Sequence, residues 1–367
     1  MNKVKENEQS PVWAYISVLK IKLRQVSNET SIFANGKHRI AIDIYIQGAD
    51  YDGNDVIVPE NTLLSHSWLI DYDTEEKLDW NRNEEDDFTW SYIDKPNEFT
   101  VTPIASSLIN HEEYDDSKLS RITYYVYCSP ATAGGTKQIA VLIKTQIGTE
   151  YTSAFGVSSD FNAFVQITAI NETHYKVSDL DAVIYVHPDA GPDVNSGQPP
   201  FRNWLQINTY IKLPRDDKYN RHIMSLDWHS NDGDHPLTGD NIPFNSMHQR
   251  YHETSSIILG SHSSYYYLHF IWELGEETKV SIGNTTWWDV PIAFNVDINI
   301  RQEGSEAVCF TIMKVWARRD STDLLHDTWL DKFIINIYDQ YGNAGRFLVQ
   351  PRNDNDVEKG KVHLIDL

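Results

Sequence analysis

The chain has 367 residues, 40% of them apolar, which is enough to build real cores over a length that suits two domains. Its 53 acidic residues against 31 basic ones give a formal charge of −22. A surface that negative repels phosphate backbones and anionic lipid headgroups, which argues against nucleic acid and membrane surfaces as partners.

Cys128 and Cys309 are too few and too far apart for the disulfide framework of a small secreted domain, and both sit in apolar, strand-like runs. Buried free thiols are expected. The first residues, MNKVKENEQS, lack the apolar core of a signal peptide. No run approaches the roughly 18 apolar residues of a membrane helix. The expectation is a soluble protein, cytoplasmic or released by a signal-peptide-independent route, with no transmembrane insertion.

Residues 1–11 read as a disordered tail. From Val12 the chain alternates, and Trp13, Tyr15, Leu19, Ile21 and Leu23 are expected on one face of a long strand. After the turn signal Asn35-Gly36, HRIAIDIYIQG gives the clearest alternation: Ile40, Ile42, Ile44 and Ile46 face one way and Asp43 and Tyr45 the other. Ser67–Tyr72 is a further strand, and a charged surface loop with Trp80 follows it, then Trp90 and Tyr92. Strands are expected at Glu98–Thr102, Arg121–Tyr127 and Lys137–Thr145, the last two joined as a hairpin by SPATAGG. Phe161–Ile170 and Ala182–Val186 complete the first half.

The segment 187–200, HPDAGPDVNSGQPP, holds four prolines and reads as a linker or a long crossover loop. It divides an N-terminal unit, 12–186, with a candidate subdivision near 105, from a C-terminal unit, 201–367. The second half continues with strands at Trp204–Leu213, Ser255–Leu259, Ser263–Leu274, Ala307–Ala317 and Lys332–Tyr338. Many short strands and no long amphipathic helix imply an all-β chain of two antiparallel β-sandwiches, or three if the first unit divides, of immunoglobulin-like or jelly-roll type.

Two hairpin signals echo each other. Asp50-Tyr51-Asp52-Gly53-Asn54 and Asp339-Gln340-Tyr341-Gly342-Asn343 each follow an alternating strand with Asp, two residues and Gly-Asn. The glycine supplies a positive φ, and the aspartate can close the turn on backbone N–H groups. The pattern resembles the hairpin of bacterial immunoglobulin-like domains found in invasin-type adhesins. That resemblance implies a scaffold or binding sandwich, bacterial and virulence-associated, with no catalytic residues to carry over.

The stretch 219–253 concentrates histidine and aspartate and reads as neither strand nor tight turn. Ser246 and Gln249 have the form of a capping box, and a helix there would set His248 and His252 at i and i+4, a spacing that suits one metal. Gln249 stands where a zinc peptidase needs its glutamate base, which disfavours that activity. Asp227, His229, Asp232 and Asp234 add hard and borderline donors, yet the full calcium-loop pattern is missing. A divalent metal, calcium or zinc, is the alternative to a chain that requires no cofactor. Among aromatic residues, Trp287, Trp288, Tyr266 and Trp228 are the candidate ligand-binding rings, because neighbours in a strand cannot both be core. Outward rings beside Asp and Asn suit a glycan or a protein contact.

No nucleophile elbow and no phosphate-binding loop is present. The expected function is therefore non-enzymatic: a binding or structural β-sandwich protein whose partner is a glycan, another protein or a second copy of itself. The alternatives are a metal-dependent enzyme centred on 222–252 and a self-assembling, inclusion-type structural protein.

Overall fold

The computed structural model describes residues 12–24, 27–83, 86–100, 119–155, 161–186, 201–213, 221–230, 250–258, 261–271, 274, 279–282, 285–287, 290–292, 296–299, 307–319, 333–351 and 362–367. The chain is all-β and forms two units. Unit 1 is Met1–Thr173 with Tyr341–Asn343, and unit 2 is His174–Gln340 with Ala344–Leu367.

Unit 1 contains β1 (Tyr15–Leu23), β2 (Glu29–Ala34), β3 (Ile40–Ala49), β4 (Asp55–Val56), the short helix α1 (Glu60–His66), β5 (Ser67–Asp71) and β6 (Asp79–Trp80). It continues with β7 (Trp90–Ile93), β8 (Ser120–Cys128), β9 (Thr136–Lys144), β10 (Glu150–Thr152) and β11 (Val165–Asn171). One sheet has the order β1-β3-β8-β7-β6 with β4 on β3, and the other β10-β9-β11-β2 with β5 on β9. A single core draws on both, including Leu19, Ile21, Ile42, Ile44, Tyr124 and Val126 from the first and Ile32, Leu69, Ile139, Val141 and Ile167 from the second. The four isoleucines expected inward on β3 are all fully buried. Each contributes roughly 1.5–3 kcal/mol of transfer free energy before chain entropy is counted.

Several local expectations are corrected. The SPATAGG segment joins β8 to β9, but these strands lie in different sheets, so it crosses between layers instead of closing a hairpin. Residues 98–100 form no strand; Thr100 makes one isolated bridge to Arg39. Not every pairing is antiparallel: β2 with β11, β6 with β7 and β12 (His174–Tyr175) with β24 (Ala344–Pro351) run parallel. In β1 a register shift between Ile16 and Val18 reverses the alternation, so Ile16 and Leu19 are both buried while Tyr15, expected inward, is 44% exposed.

Unit 2 begins with β12 and continues with β13 (Asp181–Val186), β14 (Phe201–Lys212), β15 (Ile223–Ser230), β16 (Arg250–Ile258) and β17 (Ser261–Ile271). Next come β18 (Lys279–Ile282), β19 (Thr285–Trp287), β20 (Val290–Ile292), β21 (Val296–Asn299), β22 (Ala307–Arg319), β23 (Phe333–Asp339), β24 and β25 (Val362–Asp366). Its two larger sheets run β12-β24-β23-β15, with β25 on β24, and β13-β14-β22-β17-β16. Ile223, Ile335, Ile337 and Phe347 from the first meet Ile211, Val308 and Phe310 from the second in one core. The segment 187–200 connects β13 to β14, which pair with each other from Asp181↔Lys212 to Val186↔Ile207. Residues 187–200 themselves lie outside the described residues, and the units divide at Thr173/His174. Among the described residues no helix is long and apolar enough to cross a membrane.

Both Asp-x-x-Gly-Asn segments are turns with a left-handed glycine, Gly53 at φ 81° and Gly342 at φ 77°. In the first, Asp50 Oδ1 accepts from the backbone N–H groups of Asp52 and Asn54, each at 2.9 Å. In the second, the Asp339 carboxylate is fully buried and accepts from the Tyr175 hydroxyl at 2.7 Å. The turn Tyr341–Asn343 groups with unit 1. There Asn35 Nδ2 donates to the Tyr341 carbonyl at 2.9 Å, and the Tyr341 ring lies 5.3 Å from Phe33 and 5.1 Å from His38. His38 is fully buried, its Nδ1 accepts from Phe33 N–H, and its Nε2 has no hydrogen-bond partner. Burial pushes its pKa down to about 3.

The two glycines are expected to differ under substitution. A Cβ at Gly53 meets nothing within 4 Å, whereas one at Gly342 would come within 2.7 Å of the Lys37 Cβ. In denaturant melts Gly53→Ala should cost about 1 kcal/mol through φ strain alone. Gly342→Ala should cost clearly more, and equal costs would contradict the close packing. His38 gives a pH dependence. An unfolded histidine takes up a proton near pH 6.5, but the folded site refuses it until about pH 3. The contribution is therefore fully present above pH 6.5 and is lost progressively as the pH falls toward 3. Melts between pH 7 and pH 4 should show up to about 1.4 kcal/mol lost per pH unit through this residue. His38→Gln should lack that part of the slope.

Candidate functional site

The residues singled out in the His/Asp stretch divide into several groups. Asp232, Asp234 and His248 lie outside the described residues, as does Trp288. His229 and Trp228 occupy β15, opposite Ile334 and Ile335 of β23. The part of 219–253 read as irregular is thus a strand from Ile223 to Ser230, where the cross-strand partner overrides a loop-like composition. His252 lies in β16 opposite Tyr267, so the helical turn expected to unite it with His248 does not extend to it. Tyr266 pairs with Glu253, and Trp287 pairs with Val290 across β19 and β20. Asp227 is the one member of the set whose side chain is described. It accepts from Asn336 Nδ2 at 2.6 Å and from the Tyr338 hydroxyl at 3.3 Å, which ties it to β23. Among the described residues no group of three or more His, Cys, Asp or Glu is placed to hold a metal ion.

A different feature emerges at one end of unit 1. The bulge in β1 turns Tyr15 outward, opposite Ala49 at the end of β3, and the turn that follows carries Tyr51. The two rings stand perpendicular with centroids 6.4 Å apart, and Tyr51 is 63% exposed. The turn is tightly closed. Asp50 accepts from two backbone N–H groups and from Asn54 Nδ2 at 3.0 Å, while Asp50 N–H donates to the Asn54 carbonyl at 3.0 Å. The Asn54 side-chain amide and backbone hold the Asp50 carboxyl below its usual pKa range. Tyr51 is thus presented on a rigid loop between Asp50 and Asp52, with Asn54 and Asp55 also exposed.

Other apolar side chains surface nearby along the chain. Trp13 N–H donates to Gln146 Oε1 at 2.8 Å and Gln146 N–H donates back to the Trp13 carbonyl at 3.2 Å. Their neighbours Val12 and Ile147 are exposed, as is Ile57 just beyond β4. A pair of rings beside carboxylates and an amide can stack an apolar ring face and accept hydrogen bonds from hydroxyls.

Sequence reasoning missed both tyrosines. Tyr51 was accessible to it, because the second position of an Asp-closed turn points away from the strands. Tyr15 was not, because nothing in its own residues marks the bulge.

Among the described residues two further rings are exposed: Phe155, and Trp80, which is 46% exposed on β6 at the edge of the first sheet. Tyr92 and Tyr124 hold Trp80 edge-on, at centroid distances of 5.0 and 6.1 Å. Neither cysteine is an exposed nucleophile: both are buried and outside any disulfide, and burial pushes the Cys128 thiol up to about 12.

No family model and no curated protein matches the chain. Among solved structures, a chain from Corynebacterium diphtheriae described as a "Putative membrane anchored protein" aligns over 95% of this chain at 8% identity with a TM-score of 0.15. The match spans 59% of that protein's length. Similarity that low carries no weight for fold or function.

The thiols provide a direct check on the buried environment. A thiol reagent added to the native protein should leave Cys128 and Cys309 unmodified and react with both after denaturation. Rapid native labelling of either would contradict their burial.

Proposed function

We propose that this protein is a non-enzymatic binding protein, a β-sandwich scaffold that presents exposed aromatic rings to a glycan or protein surface. The supporting observation is the Tyr15–Tyr51 pair: two exposed rings at right angles, one on a turn locked by Asp50 and Asn54. Holding a ring rigid before contact reduces the entropy lost on binding, and carboxylates beside it can orient a polyhydroxy ligand. The resemblance of the two Asp-x-x-Gly-Asn turns to bacterial immunoglobulin-like adhesin modules fits a scaffold of this kind, in a bacterial and virulence-associated setting.

A glycan array followed by titration of the best ligand tests the proposal. Tyr51→Ala and Tyr15→Ala change exposed side chains, so the fold should survive, and each should weaken binding by about tenfold. Trp287→Ala and Trp288→Ala serve as comparison variants. Full affinity in the double variant Tyr15→Ala/Tyr51→Ala would rule out this end of unit 1 as the ligand face. An array with no bound glycan would rule out the glycan version.

A further inference from the structure

The Tyr15–Tyr51 pair belongs to a larger surface. Trp13 ties three segments of unit 1 together: it exchanges hydrogen bonds with Gln146 at 2.8 and 3.2 Å, and a Cβ placed on Gly48 would lie 3.0 Å from its ring. Segments 12–16, 48–60 and 145–149 therefore meet at one end of the unit. They hold Val12, Tyr15, Tyr51, Ile57 and Ile147, five of the nine large hydrophobic side chains that are exposed among the described residues. Single exposed apolar residues need no explanation, but a concentration of them marks a contact surface.

The charge of these segments is of one sign. They contain the carboxylates of Asp50, Asp52, Asp55 and Glu60 and neither lysine nor arginine. Lys144, adjoining the third segment, pairs with Glu150 at 3.2 Å. Asp50 is occupied in closing its turn. Asp52, Asp55 and Glu60 are exposed, and among the described residues no hydrogen bond or ion pair engages their carboxylates. The register brings one of them close to the rings. Tyr15 stands opposite Ala49 and Ala49 opposite Asp55, so the three lie in one row on the outward face, with the Asp55 backbone about 10 Å from that of Tyr15. Asp52 follows Tyr51 directly on the turn.

One ligand has to suit the rings, the aliphatic side chains and the unpaired carboxylates together. An anionic ligand is repelled, and so is a second copy of a chain that carries −22. A neutral sugar stacks on tyrosine but gains little from valine and isoleucine. A guanidinium or ammonium group is attracted to the face of a tyrosine ring and pairs with a carboxylate beside it. In a peptide, its apolar neighbours also cover the aliphatic side chains. We infer that the occupant of this surface is a basic segment of a partner protein, bearing arginine or lysine among apolar residues, its cation seated on the Tyr15–Tyr51 pair beside Asp52 and Asp55. This occupant presupposes that the ring pair is a binding site, as proposed above, and narrows what it takes.

Fluorescence anisotropy of dye-labelled peptides titrated with the full chain tests it. Three short peptides differ only in carrying arginine, glutamine or glutamate between leucines. At low salt the arginine peptide should bind at least about tenfold more tightly than the glutamine peptide, and the glutamate peptide should not bind. Raising the salt to about 0.5 M should weaken the arginine complex. Tyr51→Ala should weaken it about tenfold. Asp52→Asn/Asp55→Asn, which leaves the Asp50 closure intact, should weaken it by a similar factor. Asp86→Asn/Asp87→Asn removes the same charge from the loop before β7 and should have little effect. Equal binding of the arginine and glutamine peptides would overturn the inference. So would arginine binding that responds alike to both carboxylate pairs and ignores Tyr51→Ala, the pattern of general attraction to an acidic protein. A neutral glycan held through Tyr15 and Tyr51, with no arginine peptide bound, would overturn the basic partner and leave the binding function standing. If neither peptide nor glycan binds, both fail.

Discussion

Successive side chains of a strand point to opposite faces, and β3 shows what that constraint does to unit 1. Its four inward isoleucines are fully buried and meet residues from both sheets. With the apolar side committed, everything polar on β3 has to lie outside, and Asp43 and Tyr45 become the centre of the outward face. The chemistry of that face is thus a consequence of how the core is filled. A one-residue slip of β3 would turn Asp43 into the apolar core and the isoleucines outward, so the register that makes the core also fixes the hydrogen-bonded array around Asp43.

The exception to the alternation has its own effect. In β1 the extra residue between Ile16 and Val18 lets Ile16 and Leu19 both face inward, at the expense of turning Tyr15 to solvent. The adjacent turn is closed by Asp50, so Tyr51 emerges beside Tyr15 from a loop with little freedom. The same sequence pattern at Asp339–Asn343 serves a different end. There the carboxylate is buried against Tyr175, and Tyr341 and Asn343 are buried among residues of unit 1. One turn motif thus gives an exposed loop in one place and a packed one in the other, and the surroundings decide which.

Strand content was readable wherever alternation was strong, as at β3, β8, β9, β14 and β22, because the period reports directly on burial. Pairing was much less readable. The prolines of 187–200 suggested a linker or a long crossover loop; the segment lies outside the described residues, and the strands before and after it, β13 and β14, pair within unit 2. β15 was hidden by the histidines and aspartates around it, since its strand character comes from pairing with β23. The parallel match of β2 with β11 joins segments more than a hundred residues apart and leaves no local trace. Of the site now favoured, the turn was visible in the sequence and its glycine conformation was anticipated. The ring pair was not, because it depends on the bulge.

The central claim is that the alternation, the bulge and the Asp50 turn divide the aromatic residues of unit 1 into a sealed core and a small exposed set. Hydroxyl-radical footprinting of the dilute native protein, read residue by residue, measures that division most directly. Tyr15, Tyr51 and Trp80 should label rapidly, while Trp13, Tyr92 and Tyr124 should label only on unfolding. Protection of Tyr15 and Tyr51 equal to that of Tyr92 would contradict the account, because the proposed binding face would then be part of the interior.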